Sequence, residues 1–107
     1  MPRPRMKRRV GCKPTSDFFK PAGIRKAELE EVGLGVDEFE ALRLKDHQGL
    51  DQQEAADKMG ISQPTFHRLV VDARKKVAEA LVEGKALRIE GGHYHIEKNI
   101  KSMRRRR

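Results

Sequence analysis

Residues 50–73 read Leu-Asp-Gln-Gln-Glu-Ala-Ala-Asp-Lys-Met-Gly-Ile-Ser-Gln-Pro-Thr-Phe-His-Arg-Leu-Val-Val-Asp-Ala. Two helices joined at Gly60 follow from this spacing. Ala56 is small where the helices must approach, and Gly60 lies four residues on, where the backbone leaves the first of them. Ile61, Phe66 and Leu69 supply apolar contacts that set a steep angle between them. The second helix then turns its first residues outward, carrying Gln63, Pro64, His67 and Arg68. That arrangement is a helix-turn-helix, whose second helix suits the major groove of DNA.

Helix starts on both sides share one grammar. Asp37 with Glu40, and Asp51 with Glu54, have the spacing of a capping box, and Ser62 caps a third helix that tolerates Pro64 in its first turn. The pattern predicts helices over about 37–46, 52–59 and 63–83. Phe39, Ala41 and Leu42 are expected to be buried on the first. On the third, Phe66, Leu69, Val70, Ala73, Val77, Ala80 and Leu81 recur at helical spacing as a buried stripe, and Gly84 stops the helix. Residues 86–97 then alternate apolar and polar around Gly91-Gly92, which predicts a β-hairpin. Such a hairpin has three roles open to it: a DNA-contacting wing, a dimer contact, or a cover for the core.

The charge lies at the two ends. Residues 1–13 carry Arg3, Arg5, Lys7, Arg8, Arg9 and Lys13 with no acid, and residues 98–107 carry Lys98, Lys101 and Arg104 to Arg107. Each end is thus +6 in a chain of net charge +8, so the middle is mildly acidic. Basic tails release condensed counterions on meeting phosphate and bind it in a salt-sensitive way. Pro2, Pro4, Pro14 and Pro21 oppose helix in the first segment. The domain plan is therefore a basic arm over 1–23, a folded region over 24–97 with its helix-turn-helix core at 51–83, and a basic tail over 98–107. The tails are expected to be partly disordered, with Val10 pointing inward from a short extended stretch and Phe18-Phe19 tucked against the domain. The fold class is mainly α.

Other functions fit the composition less well. With 107 residues, 37% of them charged, there is room for one modest core. Four Phe, one Tyr and no Trp leave little for an aromatic platform under single-stranded nucleic acid. The lone Cys12 forms no intrachain disulfide and suits a cytoplasmic protein. No apolar run reaches membrane-spanning length. His93 and His95 share a strand face, but a zinc site needs about four ligands, so no metal or other cofactor is expected. No nucleophile signature, phosphate loop or hydrolase metal motif is present, and an enzyme is not expected. The acidic run Glu28, Glu30, Glu31, Asp37, Glu38 and Glu40 suits helix-dipole complementation or a docking face for a basic partner.

Residues 39–44, Phe-Glu-Ala-Leu-Arg-Leu, through residues 60–66, Gly-Ile-Ser-Gln-Pro-Thr-Phe, resemble the promoter-reading C-terminal domain of bacterial sigma factors. Met1-Pro-Arg-Pro-Arg, Phe19-Lys-Pro-Ala-Gly, Asp37-Glu-Phe-Glu-Ala-Leu-Arg-Leu, Ala73-Arg-Lys-Lys-Val-Ala-Glu-Ala-Leu and Gly84-Lys-Ala-Leu-Arg-Ile-Glu-Gly-Gly resemble a prokaryotic family of predicted DNA-binding proteins, the domain of unknown function 134 group. The resemblance covers most of residues 1–92. It implies a sigma-like helix-turn-helix and a role in transcription.

The expected function is sequence-specific binding of double-stranded DNA, in a transcriptional regulator. Base edges are assigned to Gln63, Pro64, Thr65, His67 and Arg68, because Gln pairs in two-point fashion with adenine and Arg with guanine. Phosphate contacts are assigned to Arg3, Arg5, Lys7, Arg8, Arg9, Ser62, Arg74 and Lys75. A homodimer on two half-sites suits a single helix-turn-helix. The alternatives are RNA binding, nonspecific nucleic-acid binding, or docking on RNA polymerase.

Overall fold

The computed structural model of the chain describes residues 7–92 and 94–96. The expected disorder of the tails, the bases Arg3 and Arg5, and His93 lie outside these residues. In order come β1 (Arg8–Val10), β2 (Phe18–Phe19), a short 3-10 turn, β3 (Glu31–Leu34), α1 (Val36–Leu42), a π-helical turn (Arg43–His47), α2 (Gln52–Met59), α3 (Gln63–Glu83), β4 (Ala86–Ile89) and β5 (Tyr94–Ile96). Three helices are thus accompanied by a small three-stranded sheet and a two-stranded ribbon.

Helices α2 and α3 begin and end where the sequence predicts. Asp51 Oδ1 accepts the Glu54 N–H at 2.8 Å, and Ser62 Oγ accepts the Thr65 N–H at 3.3 Å. Both helices stop on a left-handed glycine, Gly60 (φ 70°) and Gly84 (φ 69°), a conformation that costs a Cβ-bearing residue. Helix α1 departs from expectation at both ends. Its N-cap is Gly35, not Asp37, and Glu38 rather than Glu40 reaches back, accepting the Gly35 N–H at 2.8 Å. Gly35 has no side chain, so only that half of a capping box exists. The α-helical hydrogen-bond pattern ends at Leu42, and the predicted tail of the helix continues as the π-turn, closed by Gln48 N–H donating to the Arg43 carbonyl at 2.8 Å.

The predicted hairpin is not formed. Its two strands exist, but β4 lies at the centre of the order β2-β4-β3, antiparallel to β2 and parallel to β3. Strand β5 leaves that sheet and pairs in parallel with β1, with Val10 opposite Ile96. The diversion has a tertiary cause. Positive φ at Gly91 and Gly92 would equally suit a primed hairpin turn, but the Gly91 carbonyl accepts the Val36 N–H at 2.9 Å, which carries the chain across the start of α1 instead of back along β4. Of the three roles left open, β4 therefore takes that of core cover, with Ala86 and Ile89 buried.

Two apolar clusters result. Ala41, Leu44, Ala55, Ala56, Met59, Phe66 and Val70 lock α2 against α3, with Leu50, Ile61 and Leu69 packed on them. Val10, Leu34, Val36, Ala73 and Ile89 form the second, closed by partly buried Phe39, Leu42 and Val77. Val10 points inward as expected. The stripe on α3 holds except at Leu81, which is 78% exposed because it lies beyond the reach of both clusters. Phe18 sits under the Arg88 guanidinium, 4.4 Å from its ring centre, whereas Phe19 is half exposed.

Candidate nucleic-acid interface

The corner between α2 and α3 is set by three residues. Gly60 reverses the chain and donates its N–H to the carbonyls of Ala56 and Asp57. Ile61 N–H donates to the Ala56 carbonyl at 3.1 Å, and Ser62 starts the next helix. Ala56, fully buried, permits the close approach expected of it. With Phe66 and Val70 buried, helical periodicity turns Gln63, Pro64, His67 and Arg68 to the outside, and all four are exposed. Thr65 is half-buried, and its hydroxyl accepts a hydrogen bond from Ser62 Oγ at 3.0 Å. It is thus more a part of the helix start than its exposed neighbours are.

The exposed side chains at this corner are braced. Gln63 Nε2 donates to Gln53 Oε1 across the two helices, and Gln53 Nε2 donates to Asp57 Oδ1 at 2.9 Å. Arg9 Nη2 donates to the Asp57 carbonyl at 2.9 Å, which places a cation at the negative end of the α2 dipole. Arg9, Arg43 and Lys58, with Glu40, line a cleft next to this turn.

The assigned phosphate contacts divide into several groups. Lys7, Arg9, Ser62 and Lys75 are exposed. Arg8 faces inward instead, because strand alternation puts it on the same side as buried Val10. Its Nη1 lies 3.6 Å from Asp37 Oδ2, and its Nε is buried without a hydrogen-bond partner. Arg74 is exposed but forks onto Asp46, with Nη2 and Nε at 2.6 and 2.9 Å from the two carboxylate oxygens. This hydrogen-bonded pairing holds the Asp46 carboxyl below its ordinary pKa and raises that of Arg74.

The acidic run reads differently in three dimensions. Asp37, Glu38 and Glu40 are buried, and each takes a base: Arg8 on Asp37, Lys76 on Glu38 at 2.9 Å, and Arg43 on Glu40 at 2.7 and 2.8 Å. Glu40 also accepts the Gly11 N–H at 2.9 Å, and its hydrogen bonds hold the Arg43 pKa above the ordinary value against the opposing effect of burial. Of the acids proposed as a docking face, Glu28, Glu30 and Glu31 stay exposed.

Sequence reasoning missed Gln53, Asp57 and the placement of Arg9. The spacing of Gln53 and Asp57 by one helical turn was a readable signal. Their meeting with Gln63 depends on the angle between two helices, which no local pattern carries. Among the described residues, no group of three His, Cys, Asp or Glu is placed to hold a metal ion, and no helix is long and apolar enough to cross a membrane.

Comparison with known proteins gives relatives but no solved structure that matches. The chain is 56% identical over 96 residues to a UPF0251 protein of Moorella thermoacetica, covering 90% of this chain and 64% of that protein. It is 54% identical over 96 residues to one of Caldanaerobacter subterraneus, covering 90% of this chain and 81% of that relative. A third, from Desulforudis audaxviator, is 57% identical over 94 residues, which is 88% of this chain and 61% of its own length. The chain thus spans less than two thirds of the Moorella and Desulforudis proteins. A family model described as "Protein of unknown function DUF134" matches residues 1–97, and the chain belongs to that family.

Proposed function

We propose that the chain binds double-stranded DNA in a sequence-specific way, with α2 and α3 as a sigma-like helix-turn-helix, and that it regulates transcription. The observation that carries this reading is the first two turns of α3. There Gln63, Pro64, His67 and Arg68 are exposed together on a helix whose opposite side is fixed by Phe66 and Val70. Gln and Arg at such positions have the hydrogen-bond geometry to distinguish adenine and guanine in the major groove, at about 1–3 kcal/mol for each good two-point contact. Lys7, Arg9 and Lys75 are exposed cations suited to phosphate, and the tail bases add a sequence-independent, salt-sensitive attraction.

The test is selection from a random double-stranded DNA library at near-physiological salt, with bulk DNA as competitor. An enriched motif that loses one position in Arg68→Ala is the expected result. Tight binding without any enriched motif would reduce the chain to a nonspecific polyanion binder and overturn the reading. Preference for an A-form duplex, insensitive to Gln63 and Arg68, would move the ligand to RNA.

A further inference from the structure

We infer that Gln53 is a positioning residue for base choice: with Asp57 it holds the Gln63 side-chain amide in the orientation that accepts adenine and rejects guanine. The inference rests on the double-stranded DNA reading above and names the base that one position of its site selects.

The argument follows hydrogen-bond direction along three side chains. An ionised carboxylate only accepts. Asp57 Oδ1 accepts from Gln53 Nε2, one helical turn earlier on α2, so the Gln53 amide must turn its Oε1 the other way, toward α3. Gln63 meets that oxygen with its Nε2 as donor. Gln63 is then left with one N–H and its own Oε1, a donor and an acceptor side by side on an exposed residue at the start of α3. In the major groove adenine offers N7 as acceptor and the N6 amino group as donor, which complements that pair. Guanine offers N7 and O6, two acceptors, and would face the Gln63 oxygen unfavourably. The backbone end of the same Asp57 is held by Arg9, whose guanidinium donates to its carbonyl. The orientation of Gln63 is thus set by groups that touch no base.

A purely structural role for Gln53, tying α2 to α3, predicts changed stability but unchanged base choice. The experiment therefore reads base choice, using the full chain in the same random-duplex selection, with thermal unfolding to verify that each variant is folded. The wild type is expected to enrich a motif with adenine at the one position that Gln63→Ala relaxes. Gln53→Leu, which removes the acceptor, should lower the adenine-over-guanine ratio at that position by about tenfold. Gln53→Glu, still an acceptor toward Gln63, should keep adenine. Gln53→Lys, a donor only, should draw the Gln63 oxygen toward itself, leave two N–H groups facing the groove, and move the preference toward guanine. A wild-type motif left unaltered by Gln53→Leu and Gln53→Lys, or altered at a position other than the one Gln63→Ala relaxes, would overturn the inference while leaving the DNA reading intact. A wild type that enriches nothing would remove both.

Discussion

At Gly60 the backbone has φ 70°, and a Cβ there would stand 3.2 Å from Arg9 Nη2. Gly60→Ala therefore combines left-handed strain of about 1–2 kcal/mol with displacement of the Arg9 guanidinium from the end of α2. Urea denaturation should show a loss of about that size, and a loss near zero would mean the turn relaxes elsewhere. The two caps differ in a measurable way. Asp51 accepts at 2.8 Å and is charged, whereas Ser62 accepts at a long 3.3 Å. Removing either by alanine costs about 0.5–2 kcal/mol in general, and Asp51→Ala is expected to be the larger loss here. Arg43 gives the sharpest contrast with surface charge. Its side chain is 14% exposed and that of Glu40 only 3%. Arg43→Met would leave the Glu40 carboxylate buried with the Gly11 N–H in place but without its cation, at a cost of about 3 kcal/mol in equilibrium unfolding. A measured cost below about 1 kcal/mol would show that water reaches Glu40.

Between elements, the π-turn after α1 presents Asp46 to Arg74 of α3. Because Arg74 lowers the Asp46 pKa in the folded chain, this pair contributes stability above the unfolded carboxyl value and loses it as pH falls through the folded one. Both side chains are well exposed, 51% and 40%, so the contribution is limited to about 1 kcal/mol or less. Asp46→Asn should match the wild type in stability at acid pH and fall slightly below it at neutral pH. On the proposed DNA reading its effect on binding should run the other way, since Asp46 would then compete with phosphate for Arg74. Asp46→Asn is expected to bind a duplex more tightly and to steepen the salt dependence of log K by up to about one unit. At this scale the sequence was most legible where the deciding interaction is local. The starts of α2 and α3 and their glycine stops depend on residues within one turn, and both helices were readable to the residue. The start of α1 was misread because Gly35 offers no cap side chain, and Asp37 and Glu40 look like caps although they are buried against bases from other elements. Strand β3 carries a plain alternation, with buried Val32 and Leu34 alternating with exposed Glu31 and Gly33, but it lies within an acidic run whose charges mask the pattern.

Across the whole molecule, the pairing of β1 with β5 decides which truncations are informative. Arg8 and Arg9 belong to a strand aligned with Tyr94 and His95, so deleting residues 1–9 would remove structure together with charge. Deleting residues 1–6 removes two bases, Arg3 and Arg5, and leaves β1 whole. On the proposed DNA reading it should flatten the salt slope by up to about two units. An unaltered slope would show that these bases do not meet phosphate. This pairing was also the least legible feature of the chain, because Val10 and Ile96 meet only in three dimensions and nothing near either one names the other. It bears as well on when the protein becomes itself during synthesis. On a ribosome, Val10 emerges early but has no partner strand until Ile96 has been added and has cleared the exit. Helices α2 and α3 can dock before then through contacts close in sequence, while the layer that holds Arg9 against the end of α2 must wait. A nascent chain halted before Tyr94 would thus carry α3 without the strand pairing that steadies its neighbour.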